Sequence, residues 1–272
     1  MEKQILIVLI LLVVLRYLIR YVKQPKWKKP KHPLSNVERE ILRKYVKYYN
    51  LLSDEDKKKF EYKVQEFLLN VKIIGVDTEI TTKDKILIAS SAIIPIFAFK
   101  NWKYKNLKEV IVYPDTFNLN FETTGENKNI KGLVGTGHFE GKMLLSKKAL
   151  LQGFSNDTDK KNTAIHEFIH LIDKADGKVD GIPALLLEEP YQLPWLDYIY
   201  KQIKQIQNKK SDINTYGATN EMEFFSVASE YFFERPLLLK KKHPELYKYL
   251  EHIFKQDTAA LFLNGRNSLK SS

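Results

Sequence analysis

The chain has 272 residues, no cysteine, and 44 basic against 33 acidic side chains, a net charge of +11. A chain of this length buries a full core without staples. The lack of cysteine removes thiolate catalysis, cysteine-ligated zinc, iron–sulfur clusters and cysteine lipid anchors. Hydrophobic residues at 44% and aromatics at 12% exclude a disordered chain.

The surplus charge sits at the front. Residues 1–32 hold eight basic side chains against Glu2 alone, a net +7. The remaining 240 residues carry 36 basic and 32 acidic side chains, an ordinary +4. The same front segment contains an unbroken apolar run over 5–15, extended to Val22 around Arg16 and Arg20. A helix over 5–22 is roughly 27 Å long at about 1.5 Å per residue, close to the thickness of a bilayer core. Residues 1–23 are therefore expected to form a single membrane-spanning anchor, with the two arginines snorkelling. No small-residue cleavage site follows the run, which disfavours a removed signal peptide. The basic flank is expected to stay in the cytosol, so the folded part faces the cytoplasm. Residues 24–33 read as a stiff basic linker on the anionic leaflet, with Trp27 at headgroup depth.

Past the linker, Ser35 or Asn36 caps a helix running to about Tyr49. Ser53, Asp54, Glu55 and Asp56 open a second helix with an apolar stripe of Phe60, Val64, Phe67 and Leu68. Residues 72–80 read as extended. Thr82 opens a very apolar helix over 86–99, kinked at Pro95 and buried on most sides. Lysines 83 and 85 bound it and Ser90 and Ser91 interrupt it, so it is a core helix and not a second span. Residues 110–113 and 139–145 are expected as strands. From Asp159 the pattern turns helical, over 159–174, 193–209, 220–234 and 243–256, with a Gly- and Asp-rich loop over 176–183. The order gives an α+β fold with a mainly helical second half, one domain over 34–265 and a tail over 266–272. Once the front segment is set aside, the charge no longer supports a nucleic-acid partner. Lys240, Lys241 and Lys242, like Lys209 and Lys210, read as solvated helix ends.

The chemistry sits at His166, Glu167, Phe168, Ile169 and His170. In a helix, positions i and i+4 share a face, so two imidazoles can bind one zinc ion. Glu167 stands beside it, placed to take a proton from a metal-bound water. Zinc needs a third protein ligand. Asp176 stands six residues after the second histidine, as in metzincins, but Asp173 occupies the position where that pattern needs glycine. The other candidates are Glu223 and Glu230, two turns apart on one helical stripe among Phe224, Phe225, Val227, Ala228, Tyr231 and Phe232. A carboxylate among aromatics is costly unless it is paired or metal-bound. Composition does not choose between the two. One is expected as ligand and the other as acceptor for the free ring N–H of a histidine. Asp173 is placed to serve the other imidazole.

These motifs resemble the Mlc titration factor A family of zinc-dependent peptidases, the M90 peptidases, and the catalytic domain of anthrax lethal factor. The likeness rests on the run from Ile165 to Asp173 with Asp176, Gly177, Asp180, Gly181, Ile182 and Pro183 behind it. It rests also on Tyr216, Gly217, Ala218, Thr219 and Asn220 leading into Glu221 to Phe225, then Ser229 to Phe233. It covers about 34–265. The resemblance implies a zincin-like metallopeptidase domain with one zinc ion, held by His166, His170 and Glu223. It implies Glu167 as general base and Tyr216 as the group that steadies the oxyanion, which leaves Glu230 as the outer acceptor. It also implies a peptide or protein substrate, aminopeptidase-type activity, and a glucose-responsive transcription regulator as partner. The expected function is a membrane-anchored zinc peptidase. The competing reading is a membrane-tethered regulator whose zinc is structural.

Overall fold

The computed structural model describes residues 27–125, 128–156 and 159–270, together with positions 10, 12, 15 and 16. The expected anchor over 1–23 lies largely outside the described residues, as do linker positions 24–26. Among the described residues no helix is long and apolar enough to cross a membrane.

The first helices start where side chains can satisfy open backbone N–H groups. Ser35 and Glu38 form a reciprocal capping box on α1 (Asn36–Tyr45). Val46 then takes an extended conformation, which separates α1 from the short α2 (Lys47–Asn50). Ser53 caps α3 (Asp54–Asn70), and β1 (Lys72–Gly75) follows directly. The extended stretch expected to reach residue 80 ends at Gly75, because the chain turns through Asp77 at positive φ. Thr81 and Asp84 then box the start of α4 (Thr82–Ile96).

Helix α4 is buried along nearly its whole length, from Ile86 to Ile96. Ser90 and Ser91 tolerate this because each hydroxyl donates to the carbonyl four residues back, Ile86 O and Leu87 O. The helix closes at Ile96, one residue after Pro95 and short of the expected Phe99. Gln256 Nε2 donates to the terminal carbonyls of Ile94 and Pro95 at 3.0 and 3.2 Å.

The sheet is completed by β2 (Glu109–Tyr113), β3 (Gly132–Val134) and β4 (Lys142–Ser146), in the order β1-β2-β4-β3. The first three neighbours run parallel; β3 is antiparallel to β4 and forms an edge. Alternation sorts the side chains. Val110, Val112, Met143 and Leu145 join the main core with the helices. Ile111, Tyr113 and Leu144 face a smaller cluster closed by Phe117, Phe121, Ile130 and Phe139. The strand expected over 139–145 begins later than the pattern suggested. Residues 137–139 wind into a 3-10 turn, and Gly141 adopts φ +80°.

Helix α5 (Lys147–Ser155), which the sequence reading passed over, leads to α6 (Thr163–Asp173). Helix α7 (Glu189–Gln207) starts earlier than expected, with a proline in its first turn. Helices α8 (Glu221–Glu234), α9 (Pro236–Lys242), α10 (Pro244–Phe254) and α11 (Thr258–Lys270) complete the fold. Helix α11 carries helical backbone to Lys270, into the expected tail. At the other end, Trp27 packs against the main core instead of standing free at a headgroup layer.

Candidate active site

Two helices build the site. Asn162 caps α6 by accepting from Ile165 N, and Asn220 caps α8 by accepting from Glu223 N. Both helices are buried on almost every side, so their polar side chains can satisfy one another only across the gap between them. His166, His170 and Glu223 do so: one donor atom from each lies within 4.8 Å of the others. His166 Nε2 is 3.0 Å from His170 Nε2 and 3.0 Å from Glu223 Oε2; His170 Nε2 is 3.5 Å from the same oxygen. A tetrahedral zinc site with bonds near 2.1 Å has edges of about 3.4 Å. The cluster therefore fits a small cation with little movement, and its imidazole and carboxylate donors suit zinc.

Electrostatics point the same way. Burial disfavours an imidazolium at His166, yet Glu230 and Glu223 raise its pKa to about 10. Burial also opposes ionisation of Glu223, but the hydrogen bonds from His166 and His170 hold its carboxyl down at about 2. Two carboxylates thus stabilise positive charge among the histidines.

Each imidazole has a partner on its far nitrogen. His166 Nδ1 is 2.8 Å from Glu230 Oε1, and the other Glu230 oxygen accepts from Asn162 N at 2.6 Å. Glu230 therefore ties His166 to the start of its own helix. His170 Nδ1 is 3.1 Å from Ser226 Oγ. That place was expected for Asp173. Asp173 instead accepts from Gly181 N through Oδ2 at 3.0 Å, and its Oδ1 has no hydrogen-bond partner. Burial pushes the Asp173 carboxyl up to about 7. The side chain shares the stripe of α6 with His166 and His170, but it stands at the last residue of the helix and turns to the Gly181 loop. Asp176 also stands apart, accepting from Lys178 N.

Ser226 was legible in principle. It follows Glu223 by three positions, on the same face of α8. With Nε2 given to a metal, His170 Nδ1 carries the ring proton and donates to Ser226 Oγ. Ser226→Ala should weaken metal affinity about tenfold, the lower end for loss of such a partner. A competition titration against a chelator measures this, and an unchanged affinity would remove Ser226 from the site.

Gly181 holds the amino end of α8 in place. Its φ is +76°, and an added Cβ would lie 2.5 Å from Glu221 O. Its carbonyl accepts from Trp195 Nε1 at 2.8 Å. Gly181→Ala should destabilise the fold by about 2–3 kcal/mol, from the left-handed backbone and the clash together. Denaturant unfolding checks it; an unmoved midpoint would show that the junction is soft.

Glu167 and Tyr216 border a cavity of about 530 Å³. Glu167 is buried beside the bare backbone of β3, where a Cβ at Gly132 would lie 2.5 Å from Glu167 Oε1. Burial pushes its carboxyl up, against the pull of His170 and His166. Tyr216 stands on a 3-10 turn (Thr215–Ala218), 53% exposed, its ring centre 6.0 Å from that of His166. Burial, with the Glu223 carboxylate nearby, pushes its phenol up to about 12. The arrangement sets a cation site, a proton acceptor and a neutral donor around one cleft.

Residues 20–255 match the family described as glucose-regulated metallo-peptidase M90. The uncharacterized protein slr2042 of Synechocystis is 28% identical over 263 residues, 92% of this chain and 95% of that protein. Mlc titration factor A of Pectobacterium atrosepticum is 26% identical over 236 residues, 80% of this chain and 86% of that protein. Mlc titration factor A of Yersinia pestis is 27% identical over 177 residues, 59% of this chain and 63% of that protein.

Proposed function

The chain belongs to the M90 family of metallopeptidases, and from that membership we propose that it is a membrane-anchored, zinc-dependent peptidase. The observation that carries the metal reading is the His166, His170 and Glu223 cluster, with every far ring nitrogen partnered. Bound there, zinc would supply Lewis acidity, lowering the pKa of water and polarising a carbonyl oxygen.

The chain's own residues do the rest. Glu167 takes the proton of the attacking water and delivers it to the leaving amine. Its buried, raised carboxyl suits both halves of that task. Tyr216 keeps its proton at neutral pH and donates to the oxyanion as charge develops there. Edge strand β3 leaves one side unpaired by the sheet, so an extended peptide laid along it would pass Glu167.

The anchor over 1–23 and a cytoplasmic domain belong to this proposal; their support is the apolar run and the basic flank of the sequence. The name of the two Mlc titration factor A relatives supports a second reading, binding of a transcription regulator. A catalytically dead variant that restores a deletion strain would favour it.

Metal removal tests the main reading. The purified chain should carry one zinc ion and hydrolyse unstructured peptides. Chelation should abolish hydrolysis and added zinc should restore it. Hydrolysis that survives complete metal removal would overturn the proposal.

A further inference from the structure

The described chain is fastened where it enters the fold. Lys28 N donates to Asn70 Oδ1 at 2.7 Å, and Asn70 Nδ2 donates to Lys28 O at 2.8 Å. Trp27 packs beside Trp102 and Lys103, with Lys103 Nζ 5.6 Å from its ring centre. Asn70 ends α3 and β1 starts two residues later, so this is the end of the sheet where the parallel strands begin. The carboxyl end of α6 lies there too: Asn106, just before β2, donates to Leu171 O at 2.7 Å.

The cleft is at the other end. β3 runs antiparallel, so Gly132 pairs with Leu145, near the finish of β4. The cavity is lined there by Lys131 and Gly132, and by Lys161 and Thr163 on either side of the Asn162 cap of α6.

Exposed lysines gather around the fastened end. Lys28, Lys29, Lys31, Lys100 and Lys105 are exposed, and none forms an ion pair among the described residues. Two carboxylates of that end are already taken, Glu66 by Lys103 and Glu109 by Lys72 and Lys142. Only residues 23–26 separate the apolar run from Trp27. Five Cα steps reach about 18 Å at most.

We infer that this face rests on an anionic bilayer surface, the one that residues 5–22 enter, and that the cleft opens away from the lipid. Substrates then arrive from the aqueous side, as soluble proteins or peptides and not as membrane-embedded segments. The inference rests on the anchored reading above. Basic side chains near an anionic leaflet are attracted over about a Debye length, and a connection of at most about 18 Å holds Trp27 and Lys28 within about two such lengths.

The test uses the full chain reconstituted in phosphatidylcholine vesicles, with and without about one third phosphatidylglycerol. Lysine acetylation is read by mass spectrometry. Lys29, Lys31, Lys100 and Lys105 should react about fivefold more slowly on the anionic vesicles, and high salt should remove the protection. Lys131 and Lys161 should react equally on both. Uniform labelling on both vesicles, or protection centred on Lys131 and Lys161, would overturn the orientation and leave the anchor standing. A chain that floats with neither vesicle would overturn the anchor, and this inference with it.

Discussion

Glu167→Gln is expected to lower kcat by about 10³-fold or more while the metal content stays the same. General base catalysis contributes roughly 10²–10⁴-fold, and among the described residues the two other carboxylates that reach the histidines are already engaged. Glu223 faces both imidazoles, and Glu230 is held by His166 and Asn162 N. Glutamine keeps the size of the side chain, so the close packing against Gly132 survives. Glu167 is not among the three donors that meet at the metal centre, so its amide should not disturb metal affinity. Paired metal analysis and single-turnover kinetics separate the two effects. Loss of zinc in this variant, or turnover near that of the parent, would remove Glu167 from its role.

Glu223→Ala should remove both metal and activity. The carboxylate is the only negative ligand in the cluster, and it contacts both imidazole nitrogens through one oxygen. Without it two neutral rings remain. Glu230 cannot fill the gap, because it lies at Nδ1 of His166 while the vacancy is at Nε2. The loss of affinity should exceed the 10–100-fold typical of outer partners. Equilibrium dialysis against zinc measures it. Full occupancy in the variant would mean that the ligand set is wrong, with Glu230 or Asp176 the residue to examine next.

Sequence spacing made the histidine pair legible, because i and i+4 share a face whatever surrounds them. It could not rank Glu223 against Glu230. Both are on one stripe of α8, and both reach His166, on opposite nitrogens of a single ring. Only the resemblance to a family separated them. Asp173 was misjudged because competing partners cannot be read from spacing. Three residues beyond His170 it is on the right stripe, but the Gly181 loop takes its carboxylate and Ser226 takes the His170 nitrogen. β3 was hidden because three residues, one of them glycine, carry no alternation to read. The break at Val46 was hidden as well, since the flanking residues suit a helix on both sides. Trp27 was read as a membrane aromatic from its lysine neighbours, but the fold offered it a core to join.

The chain has no cysteine, so no covalent bond can staple its helices. The donor cluster joins His166 on α6 to Glu223 on α8, 57 residues apart. A metal held there would close that loop as a disulfide does, and loop-closure entropy values such a tie at roughly 4 kcal/mol. Unlike a disulfide, it would be indifferent to redox state and would answer to metal supply. Starved of metal, the two helices would part more readily, and the chain's lifetime in a cell would fall with its activity.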